Sequence, residues 1–160
     1  MSDFKFWGWD KKPRTMLRFV KPGDIFCFQL ESDTYGFGRI ISKITTGHVA
    51  EIFDITSKTP TINSSEIISA TRKLPPIILD TYSLFDKKIE KGSDWRVIGN
   101  QKDYIPTNVD DIYFTFGVDD SCKKKDIFDN TYSISQEEST KYPRLSPFGD
   151  YDIKKLLGAI

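Results

Sequence analysis

Residues with site chemistry are few in this 160-residue chain, and most stand apart from one another. Gly36-Phe37-Gly38 followed by Arg39 has the start of a phosphate loop. A dinucleotide loop needs G-x-G-x-x-G between a strand and a helix, so that backbone amides can cradle the pyrophosphate. Position 41 is Ile, and both glycines fall inside a strand pattern with no helix after them. No GK[ST] is present to make a P-loop. Arg39 is therefore expected as an ion-pair partner on a strand. Gly36 and Gly38 are expected to flatten one face, so that a ring or a backbone can approach.

Nucleophilic and metal chemistry meet the same shortage. His48 is the single histidine, so any Ser-His-Asp or Cys-His arrangement has to use it. It stands beside a turn with no nucleophile next to it in sequence. Cys27 lies in an apolar run and is expected as a buried free thiol, which disfavours a reactive thiolate. Cys122 is far away, and no CxxC pattern exists. One His and two scattered Cys do not make a tetrahedral site alone. Asp110-Asp111 and Asp119-Asp120 flank the run IYFTFGV. Paired carboxylates suit Mg²⁺ or Ca²⁺, yet neither pair sits in an Asp-x-Asp-x-Asp-Gly loop. They read as solvated strand ends. No catalytic, cofactor-binding or metal-binding residue is expected.

The same carboxylates can serve recognition. Residues 103–120 hold Asp103, Asp110, Asp111, Asp119 and Asp120, with no basic residue after Lys102. Clustered carboxylates speed encounter with a basic protein and fix its register. An interface also needs an aromatic or apolar anchor, for which Tyr104, Tyr113 and Tyr82 are available. Glu51, Asp54, Asp80 and Asp86 are expected to join this acidic face.

The elements that must position these residues begin at Pro22-Gly23-Asp24, a turn signal in which the Asp24 carboxylate caps the backbone. Ile25 to Glu31 reads as a strand, with Phe26, Phe28 and Leu30 on one face and Ile25, Cys27 and Gln29 on the other. Tyr35 to Lys43 returns as a second strand and His48 to Ile55 as a third. Ser64 to Ile68 opens a short helix. Pro75-Pro76 starts a β-branched and aromatic run, IILDTYSLF. The segment DKKIEKGSD is a charged turn. Trp95 to Gly99 and Ile112 to Gly117 are further strands, and Gly99 is expected to end its strand. Residues 119–130, DDSCKKKDIFDN, read as a charged segment. Ser133 with Glu137-Glu138 starts a small helix, and Asp150 to Ile160 carries a helical stripe of Ile153, Leu156, Leu157 and Ile160. Strands followed by helices predict an α+β fold, mostly antiparallel, with the strands as a small SH3-like barrel or a strongly bent sheet. One domain is expected over residues 1–160. It comprises an aromatic, basic segment at 1–20, a β-rich core at 21–118 and a helix-bearing part at 119–160.

Composition agrees with a folded protein. Apolar residues are 38 % and aromatic ones 14 %, including twelve Phe, so large rings compensate for a modest apolar count. Lys+Arg and Asp+Glu are both 23, which argues against general nucleic-acid affinity. Residues 1–21 carry a net charge of +4, residues 22–120 carry −5 and residues 121–160 carry +1. The start of the chain lacks a signal-peptide pattern, and no apolar run is long enough to span a bilayer. These features predict a cytoplasmic protein with reduced thiols and no membrane partner.

PGD before an aromatic strand, then YGFGR and an aliphatic run, resembles the immunity protein 26 family of bacterial polymorphic toxin and contact-dependent inhibition systems. WDKKPRTMLRF, GHVAEIFDI, PPIILDTYSLF, DWRVIGN and IYFTFGV agree in order and spacing, from about residue 9 to residue 118. The resemblance implies a non-enzymatic cytoplasmic inhibitor that binds a cognate toxin domain, usually encoded beside it. It supplies no catalytic residues. Many toxins that attack nucleic acid have basic clefts. The acidic side chains Asp103, Asp110, Asp111, Asp119 and Asp120, with Tyr104 and Tyr113, are the expected contacts for such a basic nuclease.

A different class is a small-barrel nucleic-acid-binding module or ribonuclease, for which FKFWGWDKKPR offers rings and cations together. Steep salt dependence of RNA binding would distinguish it. The rings around Trp7 and Trp9 are otherwise expected to pack on the domain, the alternative being that residues 1–20 extend to a partner. For a ligand-binding regulatory domain, nothing in the chain names a ligand.

Overall fold

The computed structural model describes residues 3–10, 19–85 and 95–159. The basic stretch 11–18, Asp86 and the charged segment around it, and Ile160 lie outside the described residues.

Three long strands make the framework: β2 (Asp24–Glu31), β3 (Thr34–Ile44) and β4 (Gly47–Ser57), which follow β1 (Phe4–Phe6). They form an antiparallel meander, β2 with β3 and β3 with β4. Further along come β5 (Ile77–Leu79) and β6 (Trp95–Gln101). A second group is β7 (Phe114–Phe116), β8 (Lys123–Lys125) and β9 (Thr131–Ser133), and β10 (Pro147–Phe148) returns to the first. The main sheet has seven strands in the order β1-β6-β2-β3-β4-β5-β10, and β7-β8-β9 form a separate sheet. Pairing in the main sheet is antiparallel except for β10 beside β5. The sheet is therefore β-rich, mixed and open, with β1 and β10 as its edges, and not a closed barrel. Register shifts at Ile25/Phe26, Gln29/Glu31, Gly36/Gly38 and Ile40/Ser42 add local twist.

Alternation sorts the side chains as the sequence predicts. Phe26, Phe28 and Ile40 face one core with Trp95, Val97, Leu84, Phe85 and Ile153. Ile25, Cys27 and Phe37 face the other side with Phe53, Ile62, Ile67 and Ile98. A third cluster of Ile41, Val49, Ile78, Phe114 and Ile127 joins the main sheet to the small one. Trp95 anchors the first core: its ring stacks on Phe28 at 4.2 Å and meets Phe85 edge-on at 6.1 Å. Its buried N–H donates to Asp150 Oδ1 at 2.7 Å, as an indole must when it is sealed from water.

The glycines of the opening motif are spacers. A methyl on Gly36 would collide with the Phe28 ring, and one on Gly38 with the Phe26 ring and the Glu51 carbonyl. Asp24 is buried and caps its turn, accepting the Lys21 amide at 3.0 Å and the Asn100 side-chain amide at 2.8 Å. Burial pushes its carboxyl up, opposed by those two donors.

Helices are short: α1 (Ser64–Ser69), α2 (Thr81–Phe85), α3 (Gln136–Ser139) and α4 (Asp150–Leu156). At α1, Asn63 and Glu66 form a reciprocal capping box. Three readings need correction. The run IILDTYSLF is a strand only to Leu79. Leu84 then donates its amide to the Asp80 carbonyl, and Leu84 and Phe85 turn into the core, so packing overrides β propensity. Lys123–Lys125, inside the run expected only as a charged segment, forms β8, and Thr131–Ser133 pairs with it as β9. Gly99 lies inside β6 rather than ending it, and its missing side chain admits the Lys5 carbonyl and the Phe6 ring of β1.

Candidate functional site

Loop 102–112 joins β6 to β7 and crosses one face of the sheet, held by a buried ion cluster. Glu51 points from β4 and is 5 % exposed. Its Oε2 accepts from Arg39 Nε on β3 at 2.9 Å, and its Oε1 accepts from Arg72 Nε at 2.9 Å. A carboxylate this deep is stable only when both oxygens are satisfied. Arg39 Nη1 donates onward to Gln101 Oε1 at 2.7 Å. Arg72 Nη1 and Nη2 donate to the loop carbonyls of Asn108 at 2.8 Å and Thr107 at 3.0 Å.

Tyr104 closes this cluster from above, with the Arg39 guanidinium 4.5 Å from its ring centre. Burial pushes its hydroxyl up to about 12, and the Glu51 charge acts the same way, while Arg39 and Arg72 oppose it. Val109 and Ile112 pack on the third apolar cluster, and the Ile112 amide donates to the Val109 carbonyl at 3.2 Å. The loop is thus tied at three places. Between the ties it exposes Asp103, Ile105, Asp110 and Asp111. Ile105 is 77 % exposed. Asp103 and Asn108 have φ near +57° and +56°, the left-handed region that Asp and Asn tolerate best among non-glycine residues.

The expected acidic face divides. Asp103, Asp110 and Asp111 share loop 102–112 with Tyr104. Asp119 and Asp120 are exposed at the far end of β7, on a 3₁₀ turn (Asp119–Ser121) that follows Gly117. Tyr113 belongs to neither group. Its ring meets Tyr142 at 5.2 Å and Tyr132 at 6.3 Å, and the Lys124 ammonium sits 4.0 Å from its centre. Lys124 also pairs with Glu138 at 3.0 Å. Glu51 is corrected from surface contact to buried tie, because two arginines claim it. Asp54 is exposed and lies 3.6 Å from Lys73. Asp80 is half-buried beside β10, its amide donating to the Phe148 carbonyl at 2.9 Å. Tyr82 is exposed on α2, remote in sequence from the loop.

His48 and Cys27 are both taken up by the core. His48 is fully buried. Its Nε2 lies 3.2 Å from the Val20 carbonyl and its Nδ1 2.7 Å from the Thr81 hydroxyl. A carbonyl only accepts, so Nε2 carries the proton and Nδ1 accepts from Thr81. Burial holds this imidazole down at about 4, so it is neutral at pH 7. Cys27 is a buried free thiol that burial pushes up. Among the described residues, no three His, Cys, Asp or Glu side chains converge as metal ligands, and no helix is long and apolar enough to cross a membrane.

The aromatic N-terminal segment is occupied by the domain. β1 pairs with β6, and Trp7 Nε1 donates to the Val97 carbonyl at 2.8 Å. The Arg96 guanidinium lies 4.3 Å over the Trp9 ring, which meets Tyr35 edge-on at 5.3 Å.

Sequence reasoning missed Arg72, Ile105, Tyr132 and Tyr142. Arg72 carries no local signal, since its partners lie 21 to 36 residues away. Ile105 was legible only as an apolar residue alone in a polar loop.

Comparison with known protein families gives a match over most of the chain. The family model for immunity protein 26 matches residues 21–126, more than half of the chain. That span contains β2 to β7, the buried ion cluster and all of loop 102–112. No curated protein and no solved structure matches.

Proposed function

Since the chain belongs to the immunity protein 26 family, we propose that it binds and neutralises a cognate antibacterial toxin in the cytoplasm. It does so without catalysis, by covering the toxin's active or target-binding surface, with residues 1–160 acting as one domain. The observation that carries this reading is the family match over residues 21–126. Two further facts support it. The one imidazole is spent on a carbonyl and a hydroxyl inside the core. A polar loop is tied to the sheet through Arg72 and Glu51, and a loop already held in place loses less entropy on binding.

The contacts we assign are Asp103, Tyr104, Asp110 and Asp111 on the held loop, Tyr113 where that loop enters β7, and Asp119 and Asp120 on the turn after β7. They suit a basic toxin such as a nuclease, whose cationic cleft would be steered onto the carboxylates. A nucleic-acid-binding function has less support, because Trp7 and Trp9 are engaged within the domain.

The test is an inhibition titration with the toxin domain encoded by the adjacent gene. Its activity should fall to zero near one equivalent of this protein. Full toxin activity at a large excess of the protein would contradict the proposal.

A further inference from the structure

Loop 102–112 is tied to the sheet and carries an exposed apolar side chain among its carboxylates. Arg72 holds two successive carbonyls, Tyr104 lies on Arg39, and Val109 and Ile112, half-buried, pack against an apolar cluster. Ile105 stands directly after Tyr104, which is half-buried over Arg39, yet it is 77 % exposed. An exposed isoleucine alone needs no explanation. One placed on a loop fixed through a buried Arg-Glu-Arg cluster is pre-organised. Burying it against a partner would cost little backbone entropy and return most of the transfer energy of the side chain.

Resting on the toxin-binding reading, we infer that Ile105 is the central apolar anchor of the interface, and that its partner carries an apolar pocket rimmed by Lys and Arg. Charge decides the rim. Asp103 precedes Ile105 by two residues, Asp110 and Asp111 close the same loop, and Lys102 is the single basic residue between positions 102 and 112. An acidic rim would be repelled by these carboxylates and a neutral one would leave them unpaired, whereas a cationic one pairs with them. Hot spots have this arrangement, with an apolar centre ringed by polar contacts that exclude water. The inference also ranks the two acidic groups. The turn at Asp119 and Asp120 lies at the other end of β7, so its carboxylates contribute to approach rather than to the buried centre.

The experiment measures dissociation constants between the full chain and the purified toxin domain for wild type, Ile105→Ala, Ile105→Asp and Phe128→Ala. Phe128 is 63 % exposed on the turn between β8 and β9 and serves as a matched control. Ile105→Ala should weaken binding about tenfold and Ile105→Asp about a hundredfold, with Phe128→Ala within about twofold of wild type. Melting temperatures should be unchanged, since Ile105 supports no core. Binding of Ile105→Asp within twofold of wild type would overturn the anchor while leaving the toxin-binding reading intact. Failure of the wild type to bind would overturn both.

Discussion

Arg72 Nε lies 2.9 Å from Glu51 Oε1, and this pair couples the centre of the sheet to an exposed loop. Glu51 is on β4, and the far side of the Arg72 guanidinium holds the Thr107 and Asn108 carbonyls. One guanidinium thus spans core and surface. Its planar fork suits two parallel carbonyls in a way an ammonium would not.

Removing the carboxylate should therefore damage the fold as well as the loop. Glu51→Ala leaves two inward-facing guanidinium groups without their counter-charge. It should cost about 3 kcal/mol, as breaking a buried pair by removing one partner does. Urea denaturation reads this as a lower midpoint with an unchanged slope.

Arg72→Ala should separate the two effects. The loop loses its clamp while Glu51 keeps Arg39. Amide exchange over residues 103–111 should accelerate by at least about tenfold, the shift expected when roughly 1.4 kcal/mol of local closure is lost. Amides of β2 and β6 should keep their protection.

Gly36→Ala and Gly38→Ala should each destabilise by about 1–3 kcal/mol through overpacking. Gly38→Ala should be the worse, because its added methyl meets the Glu51 backbone as well as a ring. Gly36→Ala pushes on Phe28, which is already stacked on Trp95, so the near-ultraviolet circular dichroism of Trp95 should change in that variant. Thermal denaturation ranks the two.

His48 predicts a pH dependence of stability. Its folded value is about 4, held down by burial, against an ordinary 6.5. The unfolded chain therefore takes up a proton below about pH 6.5 that the native chain refuses until about pH 4. The His48 contribution is fully present above pH 6.5 and is lost as pH falls through 4, on the order of 3 kcal/mol in all. In urea denaturation at pH 7 and pH 4.5, His48→Gln should show a smaller loss between the two than wild type does. Equal losses would contradict a neutral buried imidazole.

Much of the framework is readable from alternation alone. Phe26, Phe28 and Leu30 against Ile25 and Cys27 already divide the two cores, and Gly36 and Gly38 already mark where rings approach. Arg39 reads correctly as an ion-pair partner on a strand, because a lone arginine there needs a carboxylate. Other features depend on contacts distant in sequence. Thr81 to Phe85 has strand-like composition, yet it is helical because Leu84 and Phe85 must reach Phe26 and Trp95. Lys123 to Lys125 has no apolar alternation. It forms a strand because Phe114 to Phe116 and Thr131 to Ser133 pair on its two sides. Of the proposed site, Asp103, Asp110 and Asp111 are visible as charge. That Glu51 belongs beneath the surface depends on Arg72, and no spacing rule links the two.

The central claim is tested most directly by co-expression. The toxin domain encoded by the adjacent gene is expressed in a sensitive cell with and without this protein, and growth and the purified complex are followed together. The account predicts arrest without the protein, growth with it, and a stable complex that co-purifies. Arrest in both cells, with the protein folded and present but no complex formed, would contradict it.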